Sequence, residues 1–110
     1  MLFEIKSVLQ RKIRLTETQW YHIHTRHPEI SNQMNKIIKT LQIPDFVYYS
    51  KKEDTYHYLK FFETTPVSEK YLLVITKHLN EEGFVITCFF ISKIKVREKV
   101  LIYVKNKDKL

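Results

Sequence analysis

Apolar and polar residues recur at two different periods along this chain, and the change of period divides it into a helical part and a strand part. Leu2 to Val8 and Arg11 to Leu15 are short β-prone stretches that suit an opening hairpin. Thr16-Glu17-Thr18-Gln19 then fits a capping box, a threonine N-cap with glutamine three residues later, which predicts a helix from Glu17. Trp20, Ile23, His24 and His27 share one face of that helix, with His22 displaced from it. Pro28 disfavours α geometry at His27 but suits the first position of a new helix, so a break is expected at His27. Glu29 would stand in the first turn of helix two, favourable for the helix dipole. Ile30, Met34, Ile37, Ile38 and Leu41 mark its apolar stripe, which runs to Gln42 before the turn Ile43-Pro44-Asp45.

The remainder reads as strands. Phe46 to Ser50 is followed by the polar turn Lys51 to Asp54, then by Thr55 to Phe62 and a loop holding Pro66. Tyr71 to Lys77 and Phe84 to Ile91 are apolar on both faces, as central strands are. The turn between them spans His78 to Gly83, and Gly83, the only glycine, is expected to take positive φ there. Val100 to Val104 suits an edge strand guarded by lysines. Short polar connections imply an antiparallel meander, giving an α+β fold with two N-terminal helices packed on a roughly four-stranded antiparallel sheet. The stripe of helix two is expected to face Leu73, Ile75, Ile86 and Cys88.

Composition narrows the class. At 110 residues the chain is one domain, and 44% apolar residues with seven tyrosines, seven phenylalanines and one tryptophan argue for a folded globule. The lone Cys88 excludes an intrachain disulfide and favours a reducing compartment. No signal peptide and no membrane-spanning apolar run are read, so a cytoplasmic protein with no membrane partner is expected. The net charge is +7, and most of the surplus lies from Lys93 onward, where Lys93, Lys95, Arg97, Lys99, Lys105, Lys107 and Lys109 face only Glu98 and Asp108. A basic surplus of that kind draws polyanions, nucleic acid first, or else serves as a solubilising tail.

The candidate chemistry concentrates in Trp20-Tyr21-His22-Ile23-His24-Thr25-Arg26-His27-Pro28-Glu29. His22 and His27 suit general acid–base work near neutral pH, and Arg26 suits a non-bridging phosphate oxygen. The competing reading has His27 as a helix cap, His24 packed beside Trp20 and His22 in water. The three histidines also permit a zinc reading, a weaker one because cysteine support is lacking. Tyr49, Tyr56, Tyr58, Lys60, Lys77 and Thr87 form a second constellation, in which Tyr56, Tyr58 and Lys60 alternate onto one strand face. Tyrosine can stack on a base, lysine can hold a phosphate, and threonine can donate to one; ordinary strand composition explains the same residues. Glycine-rich phosphate loops, nucleophile elbows and CxxC motifs are absent, and Glu29 and Asp45 are too far apart in sequence to argue a paired-carboxylate site.

The run Trp20-x-His22-Ile23-x-x-x-His27-Pro28-Glu29 resembles the helix motif of phage-associated nuclease domains in the barnase–EndoU–colicin–RelE superfamily. Pro44-Asp45, the segment ending at Ser50, the strand with Tyr58, the run Tyr71 to Lys77 and Val85-Ile86-Thr87 follow in the same order. The likeness covers roughly residues 13–96, and the basic segment 93–110 overlaps its end. It implies metal-independent, cofactor-free RNA cleavage in toxin-like or phage-associated settings. It implies tRNA or mRNA as substrate and an antitoxin or inhibitor protein as a further partner. Its polar positions fall on His22, His27, Lys77 and Thr87, with Arg26 adjacent. Where members often continue Thr-Ala-Tyr, this chain has Thr87-Cys88-Phe89, which removes a tyrosine hydroxyl. The expectation is an endoribonuclease that forms a 2′,3′-cyclic phosphate, with Tyr58, Lys60, Lys93, Lys95 and Arg97 contacting RNA. The alternative is a non-catalytic basic RNA-binding or protein-interaction module on the same scaffold.

Overall fold

A computed structural model of the protein describes residues 1–106; Lys107, Asp108 and Lys109 of the basic segment lie outside the described residues. The chain runs β1 (Phe3–Lys6), β2 (Lys12–Leu15), α1 (Glu17–Arg26), a 3₁₀ turn (Pro28–Ile30), α2 (Met34–Gln42), β3 (Phe46–Ser50), β4 (Thr55–Phe61), β5 (Tyr71–Leu79), β6 (Glu82–Ile91) and β7 (Lys99–Val104). All seven strands form one sheet in the order β1-β2-β6-β5-β4-β3-β7. β2 and β6 pair in parallel, Lys12 opposite Glu82, and every other neighbouring pair is antiparallel.

This corrects the expected two-helix, four-stranded antiparallel arrangement. The opening hairpin forms, but it extends the same sheet beyond β6, while β7 closes the opposite edge beside β3. Parallel pairing joins segments far apart in sequence, and no local turn chemistry announces it.

The helical part follows its local signals with one displacement. Thr16 caps α1 by accepting from the Gln19 backbone N–H at 3.2 Å. His27 takes φ −129° and ψ 76°, outside the α region that a following proline disfavours. Pro28 then opens only one 3₁₀ turn, and α2 starts at Met34 rather than continuing from Pro28. Ser31-Asn32 intervenes, and such side chains compete with helical hydrogen bonds and favour turns.

Ile23, Ile30, Ile37 and Leu41 pack with Val47, Tyr58, Leu72, Val74, Val85, Cys88 and Phe90 in one core. Each of these aliphatic side chains contributes about 1.5–3 kcal/mol by leaving water. Cys88 thus faces the helices as expected, whereas Leu73 and Ile75 lie on the opposite sheet face and line a groove there. Strands apolar on both sides carry no alternation from which to fix parity. Tyr58 is fully buried, and its hydroxyl donates to Ser7 Oγ at 2.8 Å, tying the hairpin turn to the sheet.

The β5–β6 connection also differs from expectation. The strands run on through His78 and Gly83, and Asn80 rather than Gly83 takes the positive φ, at 60°. Gly83 is small for another reason: a Cβ there would lie 2.7 Å from both His78 Cδ2 and Ile13 Cδ1. Among the described residues no helix is long and apolar enough to cross a membrane.

Candidate active site

The site is built where α1 lies against β6. β2 pairs with β6 only over Glu82 to Phe84, which leaves the rest of that β6 edge for α1 and the 3₁₀ turn. A bulge interrupts the ladder there: Thr76 pairs with Val85 and Ile75 with Thr87, so Ile86 has no partner on β5. The Gln19 side-chain amide donates to the Ile86 carbonyl. At the other end of the helix, His27 stacks on Phe89, ring centroids 4.9 Å apart and planes at 24°. These two contacts bracket Thr87.

His22 and Arg26 follow Gln19 by three and seven positions, so all three share one helical stripe, and both His22 and Arg26 are exposed. His22 also meets Tyr21 edge-on at 6.0 Å. His24 turns away to Trp20 and Tyr21, at 5.4 and 5.7 Å, as the packing reading of that residue had it. His27 Nδ1 stands 3.8 Å from Glu29 Oε1, and the two side chains are 32% and 27% exposed. At that separation the carboxylate is a neighbour beyond hydrogen-bond distance, and the contact that holds the ring is its stack on Phe89.

Thr87 and Lys77 are half-buried on the sheet face opposite the helical core. Thr87 lies across from Ile75, and Lys77 is two residues beyond Ile75 on the same strand, so the two are diagonal neighbours on one face. Among the described residues no side-chain hydrogen bond, ion pair or ring contact joins any two of His22, Arg26, His27, Lys77 and Thr87. The seam associates four of them, His22, Arg26 and His27 on its helical side and Thr87 on its strand side; Lys77 stands one strand further in, on β5 opposite Phe84.

The residues expected to contact RNA separate into three places. Tyr58 presents no ring face to a ligand, because it is fully buried; that expectation is corrected. Its strand parity is set by the core, where Tyr58 sits opposite Val74. Lys60 donates to the Ile43 carbonyl at 2.9 Å and reaches over the Phe62 ring, so it braces α2's exit turn. Lys93 and Lys95 line the groove on the open sheet face, and Arg97 is exposed further along the same connection to β7.

Two further histidines, for which the sequence alone suggests no role, are held in the sheet. His57 Nε2 lies 3.0 Å from Thr55 Oγ1, and burial, then the charge of Lys99, lowers its pKa. His78 stacks on Tyr56 at 4.3 Å and meets Thr76 Oγ1 through Nε2 at 3.2 Å. Its buried Nδ1 has no hydrogen-bond partner among the described residues, and burial, reinforced by Arg11, brings its pKa down to about 4. Both occur as Thr-x-His on strands, a spacing that places hydroxyl and ring on one face. Among the described residues no three His, Cys, Asp or Glu side chains gather as metal ligands.

No family model, no curated protein and no solved structure matches this chain.

Proposed function

We propose that this protein is a metal-independent endoribonuclease whose reaction takes place at the seam of α1 and β6. The observation that carries this reading is the pair of contacts, Gln19 to Ile86 and His27 to Phe89, that hold α1 along the strand on either side of Thr87. The residues on that stretch, two imidazoles, the Arg26 guanidinium and a hydroxyl, with the Lys77 ammonium on the neighbouring strand, are of the types required for cleaving a phosphodiester without a metal.

The reaction is an internal displacement. The 2′-oxygen of RNA bonds to the adjacent phosphorus as one histidine removes the 2′ proton. The bond from phosphorus to the 5′ oxygen breaks, and the second histidine supplies that oxygen with a proton. The products are a 2′,3′-cyclic phosphate and a 5′-hydroxyl, with no water consumed. His27, held by its stack on Phe89, takes one proton-transfer role and His22 the other. Arg26 and Lys77 balance the charge that builds on the non-bridging oxygens, and Thr87 positions the phosphate. The cytoplasm is the compartment in which RNA and a buried, unpaired Cys88 thiol are both at home.

The test is cleavage of single-stranded RNA in excess chelator across pH. A bell-shaped profile is expected, and His27→Ala should lower the rate by roughly two to four decades while leaving RNA affinity nearly intact. Arg26→Ala should weaken binding as well as turnover, because a permanent charge also meets the ground state. A folded His27→Ala protein that cuts at the parental rate would remove the imidazole from the mechanism. A parent protein that binds RNA and never cuts it would leave a non-catalytic RNA-binding module.

A further inference from the structure

The sheet face turned away from the helices carries a groove of about 580 Å³, within the range of clefts that enclose small ligands. Tyr48, His57, Leu73, Ile75 and Phe89 form its floor. Lys93, Lys95 and Lys99, from the connection between β6 and β7 and the start of β7, stand at its rim, with Glu69 as the one acidic residue of the lining. Flat aromatic and aliphatic surface under a basic rim selects a ligand that is both planar and anionic.

The rim lysines differ in their engagement. Lys99 Nζ donates to the Lys95 carbonyl at 3.0 Å and so knits the connection together. Lys93 and Lys95 are exposed and make no ion pair among the described residues, which leaves both ammonium groups for an anion. The groove is also continuous with the seam described above, because Phe89 lines it and stacks on His27. A strand lying in one therefore passes the other.

We propose that this groove seats unpaired nucleobases of single-stranded RNA along its floor, one of them against Tyr48, with Lys93 and Lys95 on the flanking phosphates. The choice of RNA as occupant rests on the ribonuclease reading; the charge and aromatic floor independently ask for a planar polyanion. A base in a duplex has both faces covered by its neighbours and cannot enter, so the groove discriminates for unpaired strand. An acidic peptide would satisfy the lysines but leave the aromatic floor without a planar partner. Glu69 at the margin adds an acceptor for base N–H groups.

The experiment uses a labelled single-stranded oligonucleotide with 2′-O-methyl sugars, which cannot undergo internal attack, so binding is read by anisotropy on the whole chain without cleavage. Tyr48→Ala should weaken binding about tenfold, in the range of losing one base–aromatic stack, and Tyr48→Phe should retain it. A Lys93→Gln, Lys95→Gln double variant, both changes being on an exposed connection, should reduce the slope of log affinity against log salt by about 1.4. A duplex of the same sequence should bind at least about tenfold more weakly, since only its backbone is available. A folded Tyr48→Ala protein with parental affinity, or an unchanged salt slope in the lysine variant, would overturn the proposal. Polyglutamate competing as well as RNA would reassign the groove to acidic peptides. If this binding pattern holds while unmodified RNA is never cut, the groove stands and the catalytic reading falls. If RNA is cut while these variants bind as the parent does, the catalytic reading stands and the groove falls.

Discussion

Replacing His78 with phenylalanine should flatten the loss of stability that this protein suffers on mild acidification. The His78 ring is half-buried, stacked on Tyr56 at 4.3 Å, with Nε2 on Thr76 and a buried Nδ1 that has no hydrogen-bond partner among the described residues. Burial, then the Arg11 charge, holds its pKa at about 4, with Asp54 opposing. In the unfolded chain an imidazole takes its proton near pH 6.5. Between those two values the unfolded state binds more protons than the folded one, so stability rises with pH across the window and falls as pH drops through it. Above pH 6.5 both states are neutral and the stability is fully present. At about 1.4 kcal/mol for each pH unit, the full window corresponds to an upper bound of about 3.4 kcal/mol. A half-buried ring keeps part of its hydration, which brings the expected loss to about 1–2 kcal/mol. The assay is urea denaturation of parent and His78→Phe at pH 7 and pH 4.5. The phenylalanine keeps a ring for the stack and cannot titrate, so its loss between the two pH values should be smaller by that amount. His57, whose pKa is also lowered, leaves the variant a residual dependence of the same sign. Equal losses in the two proteins, or a parent that gains stability on acidification, would refute the reasoning.

Two substitutions separate architecture from recognition. Tyr58→Phe removes the buried hydroxyl that donates to Ser7 at 2.8 Å, and should cost about 1 kcal/mol in chemical denaturation while leaving RNA affinity at the parental value. Gly83→Ala drives a methyl group to within 2.7 Å of His78 and Ile13 side-chain atoms. It should lower the denaturation midpoint by an amount worth about 1–3 kcal/mol, with the m-value unchanged.

Local signals in the sequence suffice where one residue's chemistry decides the backbone. Thr16 caps α1, and Pro28 forces His27 out of the helix, each by a mechanism confined to a few residues. The capping box is only half of what Gln19 does: its backbone meets Thr16, while its side chain leaves the helix for the Ile86 carbonyl. That partner is brought up by tertiary packing and has no signature in the sequence. Sheet order failed for the same reason, since the pairing of Lys12 with Glu82 depends on where the hairpin lands once the core has formed. The parity of β5 was hidden because Leu72, Leu73, Val74 and Ile75 are equally apolar, and only the packed helices distinguish the two faces. Histidines at the seam were visible as a cluster in ten residues. Phe89, which holds His27, reads in the sequence as one more apolar strand residue.

The central claim, that an RNA 2′-oxygen is the nucleophile at the α1–β6 seam, is tested most directly by a single-atom change in the substrate. A short RNA is cut by the parent protein in excess chelator, the cleaved bond is mapped, and the same RNA is made with one 2′-deoxy sugar on the 3′-phosphate side of that bond. Cleavage at that bond should cease, binding should persist, and the product of the unmodified strand should carry a 2′,3′-cyclic phosphate end. Continued cutting at the deoxy position, or a product ending in a 5′-phosphate, would contradict the account.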